Sequence, residues 1–199
     1  DYIDHSRCQV VLNGGVLGGY ELPFFVSHLP FGAEIHNVDP LGHDPLTDYV
    51  RPWLAADSHR IIEHKVALEE YAGEVELPFD GSGEVSLYMK LAMPQLPTQA
   101  FPCLTLDQLV AEQGFERLDL IKLDLEGADG KTLTKSVETI QRFRPQLAIS
   151  IYHFTNDFWL IPRFLFRVCQ DYTFHVEVYS FERWETILYA IPKEIRRND

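Results

Sequence analysis

Cysteine is scarce. The 199 residues include three, Cys8, Cys103 and Cys169, far apart and without a CxxC pair. That number and spacing exclude a disulfide framework and a zinc site, so no metal centre is predicted, and the expected setting is reducing and cytoplasmic. Basic residues are also few: 17 Lys+Arg stand against 30 Asp+Glu, a net charge of −13. Phosphate-rich partners need clustered Lys and Arg, which excludes nucleic acid and anionic membrane as partners. No apolar run approaches the roughly 18 residues of a membrane span. Repeats, low-complexity tracts and linker-like stretches are absent as well. One domain over 1–199 is expected, open to being part of a longer chain, and the sequence leaves its oligomeric state unread.

Hydrophobic residues at 46% and charged residues at 24% are globular values. Short β-branched runs closed by Gly, Asn or Asp-Pro alternate with helical patterns in the first third of the chain. Strands are predicted at Gln9–Leu12, Ala33–Val38 and Arg60–Leu68, with helices at Tyr20–Leu29 and Thr47–Ala56 between them. Such a β-α-β-α-β order reads as a parallel α/β sheet. Gly73–Lys90 alternates around Phe79-Asp80-Gly81-Ser82-Gly83 and predicts a β-hairpin insertion, followed by a proline loop over Leu91–Pro102. Thr105 caps a helix running to about Gln113. Leu118–Leu123 is a fourth strand, Lys131–Phe143 an amphipathic helix and Gln146–Tyr152 a fifth strand. Phe158–Cys169 is helical. Thr173–Tyr179 and Thr186–Ile191, joined by a short connection, should pair antiparallel.

Ligands of open α/β sheets bind beyond the carboxyl ends of the strands, where strand order reverses. The residues just after each strand are therefore the candidates. Asn13-Gly14-Gly15-Val16-Leu17-Gly18-Gly19 follows the first strand, and its four glycines allow a tight turn and a close backbone approach. Asp39 closes the second strand, 20 residues past Gly19, where a carboxylate can accept from ribose hydroxyls. Asp124 and Glu126 follow the fourth strand; Tyr152 and His153 end the fifth. Taken singly these are a turn, a helix cap and a structural histidine. Together, at successive strand ends, they lay out a nucleoside-cofactor site with a reactive group beside it. The GxGxxG dinucleotide fingerprint is not met, which argues against a nicotinamide oxidoreductase. A ligand without phosphates, such as S-adenosylmethionine with its sulfonium, suits an acidic pocket better.

The string Thr105-Leu106-Asp107-Gln108-Leu109, then Ile121-Lys122-Leu123-Asp124-Leu125-Glu126-Gly127-Ala128-Asp129, then Arg144-Pro145 and Ile149-Ser150-Ile151-Tyr152-His153, resembles the FkbM family of S-adenosylmethionine-dependent methyltransferases. Leu188-Tyr189-Ala190 extends the likeness, and Asn13 to Gly19 with Val38-Asp39-Pro40 match the family's first motifs more loosely. The resemblance implies an α/β, Rossmann-like class I methyltransferase fold: a seven-stranded, mostly parallel sheet with an antiparallel last strand. It implies methyl transfer from S-adenosylmethionine to a hydroxyl of a small-molecule acceptor, a sugar or secondary metabolite. By motif, Asn13, Gly15, Gly19, Asp39 and Asp124 would bind the cofactor, and His153, Asp124 and Glu126 would be catalytic. The family usually has an acidic residue where Asn13 stands.

A hydroxyl is a poor nucleophile and benefits from a base within hydrogen-bond reach. His153 is the first candidate for that base; Asp124 or Glu126 would substitute for it or orient the imidazole. The alternative, favoured by Asn13, is a catalytically degenerate methyltransferase fold that binds without reacting.

Overall fold

The computed structural model describes residues 2–16, 21–42, 58–79, 87–181 and 184–195. The predicted helix at Thr47–Ala56, the turn at Asp80–Gly83, and Gly18 and Gly19 lie outside them.

Strands β1 (Val10–Gly14), β2 (Glu34–Val38) and β3 (Arg60–His64) pair in parallel. Helix α1 (Leu22–His28) lies between β1 and β2 in sequence, with Pro23 in its first turn, where a missing N–H costs nothing. Strands β4 (Ala67–Leu68), β5 (Gly73–Pro78) and β6 (Thr98–Leu104) form a separate small sheet, and helix α2 (Leu87–Ala92) lies between the last two in sequence. Then follow α3 (Leu106–Glu112), β7 (Leu120–Leu123), α4 (Asp129–Thr134), α5 (Val137–Phe143), β8 (Gln146–Ser150), α6 (Asp157–Val168), β9 (Tyr172–Val178) and β10 (Thr186–Pro192). The large sheet has seven strands in the order β3-β2-β1-β7-β8-β10-β9, and β10 runs antiparallel to both its neighbours. The expected mostly parallel seven-stranded sheet is present.

Alternation along the strands sends side chains to two cores. Leu12, Ile121, Leu147, Ile149 and Leu188 meet α3 to α6 on one face. Val11, Ile35, Leu120, Tyr189 and Ile191 meet α1 and the N-terminal segment on the other. Strands buried on both faces are why these runs read as continuously apolar.

Four expectations need correction. Arg60–Leu68 is two strands: β3 stays in the large sheet, while Ala67 and Leu68 pair with Cys103 and Leu104. The antiparallel insertion exists, but its returning strand is β6 rather than the segment ending at Lys90. Leu87–Ala92 is a helix because Leu, Met, Lys and Ala are helix formers whose propensity overrides the short alternation. β6 occupies what was expected to be a proline loop. Pro102 is tolerated there because β4 covers only Cys103 and Leu104, leaving that edge open at Pro102. Finally, the helix over Lys131–Phe143 is broken. Ser136 Oγ donates to the Leu133 carbonyl at 2.8 Å and ends α4, while the Asp107 carboxylate accepts from the Glu138 and Thr139 amides and starts α5. Thr105 does cap α3, in a reciprocal capping box with Gln108.

Two glycines with similar backbones give a test. Gly15 (φ 76°) and Gly32 (φ 79°) are both left-handed, but a Cβ on Gly15 would sit 1.8 Å from the Asp124 carbonyl oxygen, whereas Gly32 has nothing within 4 Å. Gly32→Ala should cost about 1 kcal/mol in urea unfolding, from backbone strain alone. Gly15→Ala should cost about 4 kcal/mol or abolish folding.

Candidate active site at the carboxyl ends of the strands

Strand order reverses between β1 and β7, and their ends touch: the Asp124 amide donates to the Gly14 carbonyl at 3.0 Å. A polar row crosses the sheet beneath this point. Asn13 lies in register with Asn37 on β2, which is in register with Glu63 on β3. Asn13 Nδ2 donates to Asn37 Oδ1 (3.1 Å), and Asn37 Nδ2 to Glu63 Oε1 (3.3 Å). Asn13 is wholly buried, and its Oδ1 accepts no hydrogen bond among the described residues. Lys122, opposite Asn13 on β7, donates to the Gly15 carbonyl (2.8 Å) and to Glu21 Oε1 (2.6 Å), tying the glycine loop to the residue before α1. Asp39 braces the same loop, its two oxygens accepting from the Val16 amide (3.1 Å) and the Leu41 amide (2.9 Å).

Beyond β7 the chain turns sharply. Glu126 has φ 51°, a left-handed conformation that costs an L-residue roughly 1 kcal/mol. Asp129, fully buried, holds the turn: Oδ1 accepts from the Leu125 amide (2.9 Å) and Oδ2 from the Gly127 amide (3.3 Å). Asp129 Oδ2 also lies 3.0 Å from His153 Nδ1, so one carboxylate fixes both the β7 turn and the imidazole at the end of β8. The other ring nitrogen, His153 Nε2, lies 3.4 Å from Asp124 Oδ1 and 3.8 Å from Glu126 Oε1. Tyr152 donates to Asp124 Oδ1 at 3.2 Å and packs against the His153 ring.

The histidine is 3% exposed. Burial alone would lower its pKa, but the hydrogen bond to Asp129 and the nearby carboxylates of Glu126 and Asp124 outweigh that and push it up to about 10. His153 is therefore an imidazolium at neutral pH. Burial pushes the Tyr152 hydroxyl far above its ordinary range, and Asp124 and Glu126 add to the effect.

Of the residues singled out in the sequence, Asp124, Glu126 and His153 come together, and Asn13, Gly15 and Asp39 form an adjoining loop-and-strand-end cluster. Gly19 lies outside the described residues. Sequence reasoning assigned no role to Asp129 or Lys122. Asp129 stands five past Asp124 and two before the helix predicted at Lys131; the structure starts the helix at Asp129 itself, where an acid is favoured. Among the described residues no group of three or more His, Cys, Asp and Glu side chains is placed to hold a metal ion.

The pair has a signature in stability. A histidine whose folded pKa is raised stabilises fully below its ordinary value near 6.5, and that contribution is lost as pH rises through about 10. Asp129→Asn should cost about 3 kcal/mol at pH 6 and much less at pH 10.5, read from urea unfolding at both pH values. An equal loss at both would mean that the pair carries no charge.

A family model for the methyltransferase FkbM domain matches residues 44–190, well over half of the chain. A methyltransferase FkbM from Methylobacillus flagellatus superposes with TM-score 0.67 at 18% identity, covering 95% of this chain and 45% of that one. This chain thus spans less than half the length of that relative. The Aeropyrum pernix fibrillarin bound to S-adenosylmethionine superposes with TM-score 0.48 at 12% identity, covering 95% of this chain and 69% of that one. No curated protein matches in a sequence search. The chain belongs to the FkbM methyltransferase family, which depends on S-adenosylmethionine, and it has that family's α/β fold.

Proposed function

We propose that this chain is the methyltransferase domain of an S-adenosylmethionine-dependent O-methyltransferase whose acceptor is a hydroxyl of a sugar or secondary metabolite. The observation that carries the reading is the buried His153 held among Asp124, Glu126 and Asp129 at the point where strand order reverses. The residues suit the cofactor. Asn13 Oδ1 is a buried acceptor with no donor among the described residues, fitting an ammonium donor, and the partly exposed Asp124 and Glu126 favour a cation. Asn13, Gly15, Gly19, Asp39 and Asp124 would hold it: Asp39 as a carboxylate at the end of β2, and Gly15 by letting the β1 end pack directly on the Asp124 carbonyl.

Bound S-adenosylmethionine supplies an electrophilic methyl group on a positively charged sulfur. The protein's part is to position the acceptor and to take its proton. Free His153 has no lone pair on Nε2 at neutral pH. Asp124 and Glu126 would be shared between His153 and a cationic ligand, which would bring the His153 pKa down toward neutrality. His153 would then lose its Nε2 proton to solvent water before the acceptor binds, and the freed lone pair would take the hydroxyl proton as the methyl group is transferred. Asp129 keeps the opposite nitrogen protonated and the ring in place. Asp124 and Glu126 stabilise the imidazolium that forms again when the hydroxyl is deprotonated.

Isothermal titration with S-adenosylmethionine and S-adenosylhomocysteine tests the reading. Micromolar binding, weakened about tenfold or more by Asp39→Ala, is expected. No heat from a folded sample would leave the degenerate binding fold as the better description. With a methyl acceptor in hand, His153→Gln should lower turnover about 100-fold while changing cofactor affinity severalfold at most.

A further inference from the structure

β9 is the outermost strand of the large sheet among the described residues. Edge strands of monomers are usually kept short, bulged or interrupted by Pro or Lys, because their unpaired backbone groups invite another strand. The opposite edge, β3, follows that practice: five residues, Arg-Ile-Ile-Glu-His, with charge at Arg60 and Glu63. β9 does not. It runs seven residues, Tyr-Thr-Phe-His-Val-Glu-Val, without Pro, Lys or bulge, in unbroken register with β10 from Tyr172↔Pro192 to Val178↔Thr186. Val176 and Val178 are more than half exposed, and Phe166 of α6, also exposed, packs edge-on against Phe174 beside them.

The ladder fixes which backbone groups point outward. The Tyr179 amide donates to the Glu185 carbonyl, and the Lys193 amide to the Asp171 carbonyl. Odd-numbered residues of this stretch therefore face β10, and Tyr172, Phe174, Val176 and Val178 turn their N–H and C=O groups outward. We propose that β9 pairs antiparallel with β9 of a second copy about a two-fold axis at Val176, joining the two sheets into one.

Charge selects that axis. Centred on Val176, the pairing sets Val176 against Val176 and Phe174 against Val178 at hydrogen-bonded positions. At the flanking non-hydrogen-bonded positions, where side chains come closest, it sets His175 of each copy against Glu177 of the other. Centring on Glu177 would oppose two carboxylates, centring on His175 two imidazoles, and centring on Phe174 would set Asp171 against Glu177. Tyr2 already stacks on His175 at 4.2 Å and donates to Glu177 Oε2 at 3.2 Å, which holds both groups on that face. A two-fold contact of this kind is self-complementary and closes at two copies.

Light scattering during size-exclusion chromatography should give twice the 23.0 kDa chain mass at the highest soluble concentration. Val176→Pro, which removes the central outward N–H, and Val176→Lys should each give the single-chain mass with unchanged circular dichroism. Glu177→Lys should raise the dimer dissociation constant about tenfold. Should the proline variant fail to fold, the lysine variant at the same exposed site carries the test. A wild-type monomer, an assembly larger than two, or a dimer that survives Val176→Lys would overturn the proposal.

Discussion

The contact between Asp129 and His153 joins the parts of this protein that chemistry needs together. A turn after a parallel strand has its own unsatisfied amides, and an imidazole at the next strand end has its own buried nitrogen. Asp129 meets both demands with one carboxylate, so the β7 turn, the first turn of α4 and the end of β8 cannot move independently. The left-handed backbone at Glu126 persists because these contacts over-determine it. Glu126 and Asp124 are thereby placed around the free side of the ring.

The neighbouring strand end is fixed by sterics and by a lysine. Gly15 passes so close to the Asp124 carbonyl that only a hydrogen fits, and Lys122 reaches across β7 to the Gly15 carbonyl. Two strand ends on either side of the order reversal therefore share one wall. The Asn13–Asn37–Glu63 row, buried at its two asparagines, keeps the floor polar, and among the described residues the Asn13 amide oxygen has no donor. A site whose partly exposed rim carries Asp124 and Glu126 favours a cation, which fits a family that works with a sulfonium.

Much of this architecture was legible in the sequence because parallel strands announce themselves. Buried on both faces, β1, β7 and β8 read as apolar runs with abrupt stops at Gln9–Leu12, Leu118–Leu123 and Gln146–Tyr152, and the residues at those stops are the site, although β1 itself runs on through Asn13 and Gly14. Where reading erred, competition between close energies decided. Leu87–Ala92 has a two-residue alternation and good helix formers at once, and the helix won. The break after Thr134 depends on a side chain from another helix, Asp107, which no local pattern encodes. Asp129 stands two residues before the helix predicted at Lys131, and its grip on His153, 24 residues on, is a fact of the third dimension. The raised pKa of that histidine was equally out of reach, since a lone imidazole in sequence gives no sign of the carboxylates folded around it.

The central claim is that carboxylates charge His153 in the free protein. A ¹⁵N-resolved NMR titration of its two ring nitrogens tests it most directly. The account predicts that both nitrogens remain protonated through neutral pH, with a transition near 10. A transition at or below the ordinary value near 6.5 would contradict it.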